Sequence, residues 1–116
     1  MSNEYIPNET YIGYWARKDD RNHLAEVYNG QVLTLPVENS ATEDQTNIIA
    51  RLRYAYASGH MVGYRGWSIC RICDKHNGTQ ELEIIVGRMK YGIPEGYIHY
   101  LEDHNVAVDP KLKEII

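Results

Sequence analysis

Phenylalanine is absent from this chain of 116 residues and cysteine occurs only twice. No apolar run approaches the roughly 18 residues that a membrane helix needs. Each absence narrows the choices. Without a long apolar run, the chain is expected to stay out of the membrane. The two cysteines, Cys70 and Cys73, are too few and too close for a fold-spanning disulfide framework; their spacing suits a metal knuckle or a redox pair. With no Phe, the ring mass comes from 10 Tyr and 2 Trp. A buried Tyr needs a partner for its hydroxyl, so a core with polar links is expected. Positive charge is also short, 12 Lys and Arg against 16 Asp and Glu for a net charge of −4. That balance argues against wholesale coating of nucleic acid or anionic lipid. Met1-Ser2-Asn3-Glu4 has neither the basic nor the apolar part of a signal peptide, and a cytoplasmic protein is expected.

What is present reads as one α+β domain over 1–116, in three sections. The first, 1–39, carries most of the acidic excess and is expected to be β-rich. Tyr11-Ile12-Gly13-Tyr14-Trp15-Ala16 has strand composition. Ala25–Tyr28 and Gln31–Leu35 flank Asn29-Gly30, whose two residues tolerate the positive φ of a type I′ turn, so a β-hairpin follows. The second section, 40–59, is a helix. Ser40-Ala41-Thr42-Glu43 and Thr42-Glu43-Asp44-Gln45 both fit a capping box. Ile48, Ile49, Leu52, Ala55 and Tyr56 form one apolar stripe, with Asn47, Arg51, Tyr54 and Ser58 opposite. Gly59 stands where a left-handed closing residue belongs. In the third section, 60–116, Asn77-Gly78 reads as a second hairpin-type turn. Glu81–Val86 reads as a strand turned by Gly87 onto Met89–Tyr91. Pro94 suits the first position of a helix that carries Tyr97 to His104 and ends near Asn105. Pro110 and a short tail complete the section.

The chemistry lies in that third section. Cys70-x2-Cys73 followed by His99-x4-His104 is a Cys2His2 arrangement for one structural Zn2+. Two thiolates on a tight knuckle share one side of a tetrahedron, and two imidazoles near the end of one helix supply the other. Five helical residues rotate by about 500°, so the helix must loosen or end near His104 to bring both rings together. Two alternatives stand beside this reading. The cysteines could be small buried apolar residues and the histidines helix-surface groups. A redox pair is disfavoured, because a reactive cysteine wants a helix N-terminus behind it. His76 is a rival third ligand, though three ligands so close in sequence strain a tetrahedron. His23 and His60 read as exposed loop residues; Glu102 and Asp103 could partner an imidazole, though a solvated helix face is the favoured reading for both.

The strings Tyr64-Arg65-Gly66-Trp67-Ser68-Ile69-Cys70-Arg71-Ile72-Cys73, Asn77-Gly78-Thr79-Gln80-Glu81-Leu82, Pro94-Glu95-Gly96-Tyr97-Ile98-His99-Tyr100 and His104-Asn105-Val106 resemble a family of small uncharacterised bacterial and phage proteins. The likeness runs from about Ile48 to the C-terminus. Two positions depart from the family pattern: Ile93 replaces a Trp before the proline, and Pro110 is displaced from a Leu-Pro pair. The resemblance supports the zinc module and carries no activity with it. A phage-encoded member would act on a host protein in the host cytoplasm.

A second feature is a basic and aromatic stretch from Arg51 to Lys75. Five basic residues, Arg51, Arg53, Arg65, Arg71 and Lys75, face Asp74 alone, with Tyr54, Tyr64 and Trp67 among them. Arginines and rings hold single-stranded nucleic acid and also make protein hot spots. Packing of the rings around the knuckle would account for them equally. The expected function is a zinc-binding, non-catalytic interaction or adaptor protein with a surface at Arg51, Tyr54, Arg65, Trp67 and Arg71. A nucleic-acid-binding zinc protein is the alternative, and a zinc enzyme the third reading.

Overall fold

A computed structural model describes residues 8–15, 26–28, 31–63 and 68–116. The elements among them are strands β1 (Asn8–Tyr11), β2 (Glu26–Tyr28) and β3 (Gln31–Leu33), helix α1 (Thr46–Ser58), and strands β4 (His60–Gly63), β5 (Gln80–Val86) and β6 (Met89–Pro94). Helices α2 (Tyr97–Asp103) and α3 (Pro110–Ile115) follow. Four strands form a mixed sheet in the order β1-β6-β5-β4, and β2 and β3 form a separate antiparallel pair. The architecture is α+β, as the sequence suggests.

The sheet is built around the antiparallel pair of β5 and β6, turned at Gly87, whose φ of 60° favours glycine. β4 lies antiparallel along one side of β5, and β1 runs parallel to β6 on the other, with Asn8 opposite Met89 and Tyr11 opposite Gly92. Alternation then sorts the side chains. Leu82 and Ile93 face the helices and are sealed in a core with Ile12, Leu52, Tyr97, Leu101, Val108 and Leu112. A smaller cluster of Cys70, Tyr100 and Val106, flanked by Trp15, Ile72 and Cys73, lies beneath the knuckle.

The tyrosine-rich interior has its polar links. The Tyr97 hydroxyl accepts from the Asp109 N–H at 2.9 Å, and the Tyr100 hydroxyl accepts from the Arg71 N–H at 2.7 Å. Tyr56 donates to the Pro94 carbonyl at 2.6 Å. Burial pushes the Tyr97 and Tyr100 hydroxyls well above the usual tyrosine range, so both stay protonated.

The apolar stripe of α1 points inward, with Leu52 fully buried and Ile48, Ile49, Ala55 and Tyr56 packed against the core. Its ends differ from expectation. Neither capping box forms: the helix begins at Thr46 behind Gln45, whose side chain is drawn across the molecule instead. The Gln45 amide donates to the Val106 carbonyl and its oxygen accepts from the Val108 N–H, clamping the strand-like segment after α2. Gly59 is extended rather than left-handed (φ −89°, ψ −174°), because the chain passes directly into β4.

Three further expectations are corrected. Pro94 closes β6 opposite Glu81 instead of opening a helix, a strand-end position where its missing N–H is tolerated. Asn77-Gly78 is no turn; it lies on the outgoing arm of the knuckle hairpin, with the Ser68 N–H donating to the Gly78 carbonyl and the Asn77 N–H to Ser68. The tail after Pro110 is the helix α3, with Asp109 as its cap accepting from the Lys111 N–H at 2.9 Å. In the first section, the strand read at Tyr11–Ala16 is shifted toward the N-terminus, and Asn29-Gly30 lies outside the described residues.

Candidate metal centre

The knuckle is a short hairpin. Ile69 bridges His76, and the Cys70 N–H donates to the Lys75 carbonyl at 2.9 Å. The Asp74 N–H returns to the Cys70 carbonyl at 2.9 Å, with Asp74 in the left-handed region at φ 63°. This turn aims backbone donors at sulfur: the Ile72 N–H lies 3.4 Å from Cys70 Sγ. Burial pushes the Cys70 thiol up. Burial also opposes a charged Cys73, but the Lys75 N–H, His99, His104 and Cys70 outweigh it and bring that thiol down to about 6. A thiol lowered in this way ionises more readily, and the thiolate is the form that binds metal.

Helix α2 presents the histidines. It ends at Asp103, His104 occupies its C-cap at φ −119°, ψ 0°, and Asn105 turns left-handed at φ 49°. The break brings the two imidazoles to 4.9 Å between ring centres with planes at 89°. A continuous helix would have rotated them apart. His99 Nε2 stands 3.3 Å from Cys73 Sγ. One donor atom from each of Cys70, Cys73, His99 and His104 lies within 4.8 Å of the others, and among the described residues no other group of three or more such side chains converges this way. A tetrahedron with bonds of about 2.0–2.3 Å has edges of roughly 3.3–3.8 Å, so the cluster can hold a metal ion with small adjustments.

Carboxylates fix the outer nitrogens. His99 Nδ1 meets Asp103 Oδ2 at 2.9 Å, and His104 Nδ1 meets Glu38 Oε2 at 2.7 Å. The hydrogen bond to Glu38 raises the His104 imidazole above its usual range. Asp103 is thus a histidine partner and not part of a merely solvated face, whereas Glu102 is paired with Arg53. Among the described residues the buried His104 Nε2 has no hydrogen-bond partner, a costly state that a metal ion would relieve. Glu38 was invisible to sequence reasoning because it lies 66 residues from His104 and no spacing rule spans that gap.

His76 is exposed and lies outside the cluster of candidate ligands. His60 is exposed as expected, but it opens β4 and lies 3.4 Å from Glu83; His23 lies outside the described residues. The surface residues separate. Arg51 and Tyr54, the latter 74% exposed, line a groove of about 470 Å³ with Ala55, Ile84, Ile115 and Ile116. Arg71 is elsewhere, its guanidinium donating to the Trp15 carbonyl at 3.2 Å and the Ile69 carbonyl at 2.5 Å. Arg65 and Trp67 lie outside the described residues. Among the described residues no helix is long and apolar enough to cross a membrane.

Comparison with protein families, curated proteins and solved structures finds no match for this chain.

Proposed function

We propose that the chain is a zinc-stabilised, non-catalytic interaction protein of the cytoplasm, of the kind suggested by its resemblance to small bacterial and phage proteins, and that its partner is another protein. The convergence of one donor atom from each of Cys70, Cys73, His99 and His104, with the buried His104 Nε2 lacking a hydrogen-bond partner among the described residues, supports the metal reading. Two thiolates with two imidazoles are a donor set for zinc; calcium and magnesium favour oxygen. Four protein ligands leave no position for a reactive water, which makes the role structural.

The groove between α1, β5 and α3 supports the interaction reading, with Tyr54 and Arg51 on its wall. Tyr and Arg are the side chains that anchor protein interfaces. Nucleic acid is the weaker partner, because the basic stretch is partly neutralised from within: Arg53 pairs with Glu102, and Arg71 is spent on backbone carbonyls.

Elemental analysis of freshly purified protein should find one zinc per chain. Cys73→Ser and His99→Ala should each abolish tight binding, and His76→Ala should leave it intact; protein isolated without metal would refute the centre. Arg51→Glu combined with Tyr54→Ala should keep the zinc and the melting temperature but lose the native partner. Unchanged partner binding would remove the groove from consideration. Retention on DNA that falls steeply with salt would favour the nucleic-acid alternative.

A further inference from the structure

Glu38 stands apart from the other groups at the centre because it comes from the far side of the sequence. Asp103 reaches His99 from one turn along the same helix, so its position is set as soon as α2 forms. Glu38 reaches His104 only when the segment around it is laid against the chain after α2. Three bonds lay it there, and a fourth shapes the segment itself. The Asn39 N–H donates to the His104 carbonyl at 2.9 Å and the Ala41 N–H to the Asn105 carbonyl at 3.1 Å. The Ala107 N–H donates to Ser40 Oγ at 2.8 Å, and that hydroxyl closes back on the Val37 carbonyl at 2.7 Å. Asn39, in the left-handed region at φ 58°, makes the bend between Glu38 and Ser40. The cross-chain bonds land on the residues that carry and follow the last candidate ligand.

We propose that Glu38 is a positioning residue of the metal centre, and that through it the strap 37–41 and the metal hold each other in place. The inference rests on the zinc reading of Cys70, Cys73, His99 and His104. Its chemistry is that of a carboxylate on an imidazole. An ionised carboxylate only accepts hydrogen bonds, so the 2.7 Å contact places the ring proton of neutral His104 on Nδ1. That leaves the Nε2 lone pair for the metal and fixes the ring plane. Packing against the His99 and Tyr100 rings limits where the His104 imidazole lies, and Glu38 is its hydrogen-bond partner among the described residues, Nε2 having none. Linkage is reciprocal: whatever the docked strap adds to metal affinity, the bound metal returns to strap docking.

The test measures zinc affinity of the full chain by competition with a chromophoric chelator. Glu38→Ala should weaken binding by about tenfold to hundredfold, the range for lost outer carboxylates. Glu38→Gln, which keeps an acceptor for Nδ1–H, should recover much of the loss. Glu102→Gln, a change to the neighbouring carboxylate that pairs with Arg53, should have little effect. In zinc-saturated protein, nitrogen NMR should show the His104 proton on Nδ1 in wild type, and the Asn39 and Ala41 amides should exchange faster in Glu38→Ala. Wild type that binds zinc tightly with Glu38→Ala within twofold of it would overturn this inference and leave the zinc reading standing. Wild type that binds no zinc would overturn both.

Discussion

Glu81 shows how a single side chain sets a pH response. It lies on the sheet face away from the core and accepts from the Tyr14 hydroxyl at 2.8 Å. It also covers Gly92, where any Cβ would collide with its carboxylate. Burial holds its carboxyl above the usual carboxylate range, so folding favours the protonated form. The favourable contribution is present in acid, below the unfolded value, and is lost as pH rises through the higher folded value. Glu81→Gln should therefore raise the melting temperature at pH 7 by a few degrees, with the gain vanishing near pH 4. Thermal melts across that range check it, and a gain that persists in acid would point to packing. Residue-level chemistry was legible in part: Cys70, Cys73, His99 and His104 declare themselves by type and spacing, whereas Glu38 and Glu81 acquire their roles from neighbours that only the fold supplies.

At the scale of elements, legibility followed periodicity. α1 and the β5–β6 hairpin carry strong patterns and were found, apart from their ends. α3 was missed because it is six residues long and begins with proline, a residue that stops helices elsewhere. Asp109-Pro110 is in fact a start signal: the aspartate caps, and proline occupies the first turn where no N–H is needed. The element is structural, since Leu112 is fully buried and closes the main core beside Leu52 and Tyr97. Leu112→Ala should destabilise the protein by about 2–5 kcal/mol, and Asp109→Ala by about 1 kcal/mol. Denaturant unfolding measures both. A loss under 1 kcal/mol at Leu112 would mean that α3 frays from the core.

At the scale of the molecule, the N-terminal section and the candidate centre share their support. Ile12 belongs to the main core, and Trp15 packs beside Cys70, Tyr100 and Val106, with its ring 5.8 Å from that of Tyr100. On the zinc reading, removing the metal amounts to unfolding around its site, so the disturbance should reach Trp15. In a Trp67→Tyr variant, where Trp15 is the sole tryptophan, chelation should shift its emission to the red in step with the loss of helical circular dichroism. Emission that stays put while the helix signal falls would show the two sections to be independent. The mixed sheet was beyond sequence reasoning for a related reason: the parallel pairing of β1 with β6 leaves no local mark, since each strand reads the same with or without its neighbour.

That parallel pairing has a consequence for the order of events on the ribosome. β1 is made well before its partner edge, since Asn8 pairs with Met89 and Tyr11 with Gly92. Until that edge is made β1 has no such partner to join, and the nascent chain carries an unsatisfied strand. Long-range closure of this kind slows folding, and His104 follows Gly92, the last residue of that pairing, by twelve residues in translation.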